Sequence, residues 1–149
     1  MDWGEYKTQV LRYRMEYLNT EEYIAILLLG IAEELAEYRQ SIYAMKSIEK
    51  QLEEYGDLLW NIAELENILD GRNSDRSKNV NSALDSILDV SMNCIQAVRK
   101  HYFRDKDDTI LIKKAGNILV ACHIFFVNSE ISIDAMNQNL IKMDRRHNK

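Results

Sequence analysis

The chain has 149 residues, of which 46% are apolar, with five Gly and no Pro. That length fits a single domain over residues 1–149. Because the many tight turns of a β-sandwich or barrel need Gly and Pro, the composition argues against both and favours an all-α domain. Twenty-four acids against 19 bases give a net charge of −5, which argues against a nucleic-acid partner.

The charge is divided unevenly along the chain. Residues 1–75 carry 16 acids and 7 bases, whereas residues 76–149 carry 8 acids and 12 bases. This division suits a site in which an acidic half holds a cation and a basic half faces an anion. A random surface distribution is the alternative explanation.

Two cysteines and one short apolar run bear on the compartment. Cys94 and Cys122 lie in apolar helical sequence without a Cys-x-x-Cys motif, which is typical of reduced core residues in a cytoplasmic protein. The longest apolar run, residues 24–32, is far shorter than the roughly 20 residues that span a membrane. The first residues do not read as a signal peptide. We therefore expect no membrane partner.

The first half of the chain predicts three helices. Tyr and Val side chains at a spacing of three to four residues indicate a helix over roughly 3–18. Asn19 and Glu22 form a capping box that opens a second, long helix. Ser47 is expected to cap a third helix, which ends near Gly71, where glycine supplies a positive-φ position.

The second half predicts three more helices and no strand. A fourth helix spans about 79–103, a fifth covers roughly 109–128, and Ser132 is expected to cap the last. The apolar face of the fourth helix is predicted to contain Leu84, Ile87, Leu88, Ile95 and Val98. Long helices joined by short turns favour an antiparallel bundle of about six helices.

Acidic residues at helical spacing concentrate in the second and third helices. Glu34 and Glu37 are i,i+3 neighbours on the second helix, and Glu54 and Asp57 are i,i+3 neighbours on the third. Leu and Tyr side chains flank both pairs. We therefore expect the four carboxylates on or beside the faces that pack inward.

Carboxylates near a core are costly unless a base or a cation pairs them. We expect no base on this face, because Arg39 and Lys50 are predicted to point elsewhere. A hard divalent cation is then the natural partner, Mg²⁺ in the first place with Mn²⁺ as a substitute. Ordinary exposed acids on amphipathic helices are the alternative.

At these residues the sequence resembles a known family. The segment 30–37, followed by Glu54-Tyr55-Gly56-Asp57-Leu58-Leu59-Trp60, resembles the MazG-type, all-α nucleoside triphosphate pyrophosphatases. Their signature is Glu-x-x-Glu, a spacer, and then Glu-x-x-Asp; here 16 residues separate Glu37 from Glu54. Glu33 makes the first element Glu-Glu-x-x-Glu, a form typical of the dimeric dUTPase branch. The tail 139–146 is similar to the family's Asn-x-x-Lys-x-x-x-Arg ending.

The resemblance implies a Mg²⁺-dependent hydrolase that converts a (d)NTP and water to a (d)NMP and diphosphate. It implies that Glu34, Glu37, Glu54 and Asp57 bind the metal. Glu33 or Glu37 would act as the catalytic residue that orients or deprotonates the attacking water. The candidates for substrate binding are Trp60, Asn61, Asn139, Lys142, Arg145 and Arg146. A place in the core for Trp60, and a frayed basic C-terminus for the last residues, are the alternatives.

The second half resembles a degenerate copy of the first. The segment 116–119 repeats 56–59 sixty positions on, and an offset of 56 relates the helices before them. In this register Val90, Asn93, Lys114 and Asn117 occupy the carboxylate positions. We therefore predict a MazG-like four-helix core within one chain, with residues 1–70 as the motif-bearing half and 76–149 as the degenerate half. A homodimer stays open as an alternative.

Two other classes of function remain open. The chain could be a non-catalytic MazG-like protein that binds nucleotide, or a helical interaction module without a ligand. A di-iron bundle is disfavoured, because the histidines are scattered and no Glu-x-x-His occurs. The motifs do not predict which base or sugar is preferred.

Overall fold

The structure, a computed structural model, describes residues 1–14, 16, 19–70, 87–126 and 130–148, with the backbone alone at 123–126 and 130. This part of the chain is helical and has no strand. A 3₁₀ turn follows the first helix and a π-helical turn, His101–Asp105, follows the fourth. The helices are α1 (Trp3–Val10), α2 (Thr20–Tyr43), α3 (Ile48–Leu69), α4 (Ile87–Lys100), α5 (Asp108–Phe126) and α6 (Glu130–His147).

The predicted starts of the two long helices are confirmed. The Asn19 side chain accepts a hydrogen bond from the backbone N–H of Glu22 at 2.8 Å. Ser47 Oγ accepts one from the backbone N–H of Lys50 at 3.2 Å. Each cap satisfies a donor that the helix itself leaves unpaired, so both helices begin at a defined residue.

Helices α2 to α5 pack together as the core, while α1 and α6 lie against α3. The short connection 44–47 makes α2 and α3 antiparallel neighbours. The prediction of an all-α helical bundle is confirmed. Fully buried side chains along the two helices form the centre of the core: Leu28, Ile31, Leu35, Leu58, Leu59, Ile62 and Leu65.

Two predictions are wrong: where the first helix ends, and which side chains the fourth helix buries. Helix α1 ends at Val10, where a 3₁₀ turn takes over, and does not continue to residue 18. On α4 the buried face consists of the smaller side chains Val90, Cys94 and Ala97, whereas the predicted Leu88 and Ile95 are exposed. Val90, Cys94 and Ala97 follow one another at i,i+4 and i,i+3 spacing and share one face of the helix, whereas Leu88 and Ile95 lie on the other face.

The prediction for Ser132 is also wrong. Helix α6 begins at Glu130, so Ser132 lies inside the first turn of the helix and does not precede it. It is buried, and its Oγ is 3.0 Å from the hydroxyl oxygen of Tyr55 on α3. The residue therefore joins two helices.

Three further predictions concern the end of the third helix and the start of the fourth, the two cysteines, and the absence of a membrane span. Gly71, Leu84 and the start of the predicted fourth helix lie outside the described residues. Cys94 and Cys122 are free and buried, and burial raises the pKa of both thiols. Among the helices as described, we find none with the length and apolarity to cross a membrane.

Candidate active site

Three carboxylates from α2 and α3 converge between the two helices. One oxygen each of Glu34, Glu54 and Asp57 lies within 4.8 Å of the others. We call these three residues the carboxylate cluster. The i,i+3 spacing places Glu54 and Asp57 on one face of α3, and the antiparallel packing brings α2 against that face. Three of the four predicted metal ligands are thus brought together.

Glu34 is the most strongly perturbed member of the cluster. Burial, with added repulsion from the negative charges of Asp57, Glu37 and Glu54, raises the pKa of Glu34 to about 8. Its Oε2 is buried and has no hydrogen-bond partner among the described residues. An unpartnered oxygen in this position could accept a bond from a cation, and the charge of a cation would lower the raised pKa of Glu34.

Glu37, the fourth predicted ligand, lies beside the cluster and is more exposed. Its side chain is within hydrogen-bond reach of Glu34 and Glu54. Partial burial, followed by the charges of Glu54 and Glu33, raises the pKa of Glu37. A carboxyl group with a raised pKa, near both the cluster and solvent, is suited to accept a proton from water.

The expectation that no base reaches this face is wrong. Lys50 Nζ lies 2.7 Å from Glu54 Oε1 and 3.2 Å from Glu53 Oε2. These hydrogen bonds raise the pKa of Lys50 above its ordinary value. Lys50 is one turn before Glu54 on the same helix, and its flexible side chain reaches forward along the helix surface to the carboxylates. Arg39 does point elsewhere, because its guanidinium packs over the ring of Tyr43.

A second base, Lys142 of α6, forms an ion pair with Asp57. Lys142 Nζ is 2.5 Å from Asp57 Oδ2 and 3.1 Å from Glu53 Oε1. Burial by itself would lower the pKa of Lys142, but its hydrogen bond to Asp57 and the charges of Asp57 and Glu53 raise it overall. In this structure, lysines therefore supply the positive charge for two of the three clustered carboxylates.

A chain of two hydrogen bonds orients Asp57 through its other oxygen. Asn139 Nδ2 donates to Asp57 Oδ1 at 3.0 Å, and the Tyr6 hydroxyl donates to Asn139 Oδ1 at 2.9 Å. Tyr6 is fully buried, and burial raises its pKa well above the ordinary value, so it remains a donor. The chain links α1, α6 and α3, and it holds Asp57 in one orientation.

Gly56 explains why α6 comes so close to α3. A Cβ added at Gly56 would lie 2.8 Å from the carbonyl oxygen of Ala135 and 3.0 Å from Cβ of Asn139. A side chain there would push α6 away. Glycine thus permits the contact that brings Asn139 and Lys142 to Asp57.

A cavity of about 590 Å³ opens beside the cluster, between α3 and α6. Its walls include Lys50, Glu53, Gln138, Asn139 and Lys142. That volume lies within the range of small-molecule sites. Two ammonium groups, two amides and the adjacent carboxylates can therefore contact one ligand that carries both negative charge and bound cations.

Two of the remaining predicted residues lie farther along α3. Trp60 packs against Tyr13, with ring centroids 5.4 Å apart, and its side chain hydrogen-bonds Glu64. Its position is that of a residue packed between helices. Asn61 Nδ2 donates to the backbone carbonyl of Asp57 at 3.0 Å, and its amide lies against Gly30 of α2.

The last three predicted residues are exposed. Glu33 lies on α2 next to Glu34, and its charge contributes to the raised pKa of Glu34 and Glu37. Arg145 and Arg146 lie in the last turn of α6, beyond Lys142. The roles assigned to these residues remain predictions.

Sequence reasoning missed Lys50, Glu53 and Tyr6. A signal was present for Lys50, because Lys50 with Glu53 and Glu54 forms i,i+3 and i,i+4 pairs that favour contact on a helix surface. No local signal points from Tyr6 to Asn139, since 133 positions separate them.

A second group of ligand-type residues lies where the start of α2, the π-helical turn after α4 and the start of α5 meet. Glu21, His101 and Asp108 place their candidate ligand atoms within 4.8 Å of one another. Nε2 of His101 is in close contact with Glu21, whereas the buried Nδ1 has no partner among the described residues. A proton on Nε2 that is donated to Glu21 leaves Nδ1 as a bare acceptor, which costs less than an unpaired N–H. That tautomer does not offer Nε2 to a metal, so we interpret the group as a polar contact between helix ends.

No protein-family model, no curated protein and no solved structure matches this chain. The resemblance to the MazG-type family therefore rests on the sequence motifs and stays a prediction. The geometry of the carboxylate cluster does not depend on that resemblance.

Proposed function

We propose that the protein is a Mg²⁺-dependent nucleoside triphosphate pyrophosphohydrolase of the MazG-like type, converting a (d)NTP and water to a (d)NMP and diphosphate. The observation that carries the proposal is the convergence of Glu34, Glu54 and Asp57, with one buried oxygen of Glu34 left without a partner. A cluster of like charges around an unsatisfied oxygen calls for a cation.

The residues present fit a hard divalent metal. All the available donors are carboxylate oxygens, the ligand type that Mg²⁺ prefers, and they leave positions open for water and phosphate oxygens. Glu34, Glu54 and Asp57 would hold the ion, with Glu37 as a fourth ligand. When bound, Mg²⁺ would neutralise charge on the phosphate chain, and Mn²⁺ could replace it.

The other groups of the site support phosphate binding and proton transfer. Lys50 and Lys142 line the adjacent cavity and can move from the carboxylates to phosphate oxygens once a metal compensates the cluster. Asn139, held by Tyr6, keeps Asp57 oriented. Glu37, with its raised pKa, accepts the proton of the attacking water, and Glu33 is the alternative base.

The test is a panel of canonical and damaged nucleoside triphosphates with Mg²⁺, in which monophosphate and diphosphate are separated by chromatography. We expect the two products in equal amounts from at least one substrate. Release of inorganic phosphate with a nucleoside diphosphate would contradict the proposed bond cleavage. No turnover across the panel would contradict the assignment as an enzyme.

One observation favours the non-catalytic alternative. Lys50 and Lys142 already neutralise Glu54 and Asp57, so the cluster is partly compensated without a metal. A protein that binds a nucleotide without hydrolysis could keep this arrangement. Nucleotide binding that is unchanged by Mg²⁺, together with no turnover, would select that alternative.

The proposed activity also fixes the expected partners and compartment. The substrate is a small anionic nucleotide, and neither a nucleic acid nor a membrane is required. Because nucleoside triphosphates and reduced thiols are both found in the cytoplasm, we place the protein there, in line with free, buried Cys94 and Cys122.

A further inference from the structure

A second polar cavity lies between α4 and α5, away from the residues of the proposed catalytic site. Its volume is about 280 Å³. The polar lining residues are Asn93, Gln96, Lys100, Lys114 and Asn117. We call this cavity the α4–α5 cleft. Its lining side chains include two ammonium groups and three amides, and no carboxylate.

The positive character continues into an adjoining groove. A cavity of about 380 Å³ shares Gln96 and Lys100 with the cleft and adds Arg99, Arg104 and Phe103. One acid approaches a lining lysine: Asp105 Oδ2 is 3.8 Å from Lys114 Nζ, and both side chains are more than one-third exposed. A contact this long and solvated neutralises little of the lysine charge. Four cationic side chains thus line one continuous depression.

The cleft lies where the internal repeat places the counterpart of the carboxylate cluster in the second half of the chain. In the sequence register described above, Asn93, Lys114 and Asn117 correspond to Glu37, Glu54 and Asp57, and all three line the cleft. The corresponding buried position of Glu34 is Val90, which is apolar. The exchange of three carboxylates for one lysine and two amides replaces a cation-binding surface by an anion-binding one.

We propose that the α4–α5 cleft is a binding site for a phosphate-bearing anion, separate from the carboxylate cluster and independent of divalent metal. The ammonium groups of Lys100 and Lys114 contact phosphate oxygens, and the amides of Asn93 and Asn117 donate N–H groups to them. Arg99 and Arg104 extend the contact along a phosphate chain. Free diphosphate and the phosphate tail of a nucleotide share this chemistry. In the nucleotide, the base would lie over Phe103, which is 82% exposed.

The experiment is calorimetric titration of the full chain with sodium diphosphate in EDTA. In EDTA the carboxylate cluster holds no divalent cation, and Lys50 and Lys142 are paired with Glu54 and Asp57, so the lysine variants of the cleft identify where the anion binds. We expect one site per chain, and about tenfold weaker binding in each of Lys100→Gln and Lys114→Gln. Lys113→Gln removes the same charge from an exposed neighbour outside the cleft and should bind as the wild type does.

A parallel titration with ATP distinguishes the two sources of phosphate. If ATP binds more tightly than diphosphate and Phe103→Ala removes the difference, the ligand is a nucleotide; equal affinities assign the site to the phosphate chain alone. Three results would overturn the proposal: no diphosphate binding at millimolar concentration, an equal loss in Lys113→Gln, or binding of a single-stranded oligonucleotide without binding of either small anion. Circular dichroism of each variant verifies that the fold is retained.

Discussion

Lys142 Nζ lies 2.5 Å from Asp57 Oδ2, although the two residues are 85 positions apart in the chain. This ion pair joins α6 to α3 at the edge of the carboxylate cluster. A metal ion and Lys142 would compete for the same carboxylate, and the lysine released by the metal stands at the wall of the cavity beside it. If the proposed function holds, this pair would link metal binding to the release of an ammonium group for phosphate.

We therefore expect Lys142→Gln to act in opposite directions on metal and substrate. Loss of the competing ammonium group should strengthen Mg²⁺ binding to the free protein, whereas the KM for a triphosphate should rise about tenfold. Calorimetry with Mg²⁺ and steady-state kinetics measure the two effects. Lys113→Gln, an equal change of charge on α5, is the control. If Lys142→Gln weakened Mg²⁺ and substrate alike, the residue would have a structural role alone.

The four acidic residues of the motif should be required for turnover. Glu34→Gln, Glu37→Gln, Glu54→Gln and Asp57→Asn are each expected to lower kcat/KM on the order of 100-fold or more, since loss of a residue that merely supports a metal ligand already costs 10–100-fold. Asp134→Asn, an exposed acid on α6, should keep the wild-type rate. Two of the four variants with near wild-type turnover at saturating Mg²⁺ would refute the metal-site assignment.

The change in stability relative to the wild type should differ in sign among these variants. Glu34→Gln removes a repelled carboxylate, one oxygen of which has no partner among the described residues, so the metal-free protein should become more stable at alkaline pH. Glu54→Gln and Asp57→Asn each break an ion pair with a lysine and should be neutral or destabilising. Thermal melting in EDTA measures the difference. A uniform gain in Tm for all three variants would contradict the lysine pairing.

The raised pKa of Glu34 predicts a pH dependence of stability. Because the pKa is about 8 in the folded chain and 4.5 ordinarily, the folded state binds more protons than the unfolded state between those values. The stability contribution of this group therefore falls as pH rises from about 5 to 8. In EDTA, the Tm of the wild type should fall over this interval by about 3 °C more than that of Glu34→Gln. Parallel melting curves for the two proteins would show that Glu34 titrates normally.

Gly56→Ala tests the packing that brings α6 to the site. The added Cβ meets the backbone carbonyl of Ala135 at 2.8 Å, so either helix must shift. We expect a loss of about 1–3 kcal/mol in the free energy of unfolding, measured by urea titration, together with weaker substrate binding. In Gly4→Ala the new Cβ meets a single side-chain oxygen, at 3.3 Å, and this variant should behave as the wild type does.

The role predicted for the second half can be tested by truncation. Helix α2 packs along α4, and α3 packs along both α5 and α6, so a fragment of residues 1–75 would expose the apolar faces that these contacts bury. We expect the fragment to be unfolded or aggregated by circular dichroism and sedimentation. The full chain should bind one metal–nucleotide complex, since Val90, Lys114 and Asn117 offer no carboxylate ligand. A folded, active fragment or two equivalent sites would contradict the internal four-helix core.

The helical class, two helix caps and the candidate ligands were predictable from the order of the residues alone. Asn19 and Ser47 were predictable as caps, because a cap is satisfied by a backbone N–H three residues away. The pairs Glu34 with Glu37 and Glu54 with Asp57 were predictable as neighbours, because the helical repeat alone sets which residues share a face. Such relations extend over one helical turn and need no knowledge of packing.

The residues that surround those ligands were not predictable in this way, because they come from helices that are distant in the sequence. Asn139 and Lys142 reach Asp57 because α6 docks against Gly56, and Ser132 contacts Tyr55 for the same reason. Helix α4 buries the face with Cys94 and exposes the face with Ile95, and its sequence offers apolar side chains on both faces. A helical repeat shows which side chains lie together on one helix, but which faces of different helices meet depends on the packing of the whole bundle.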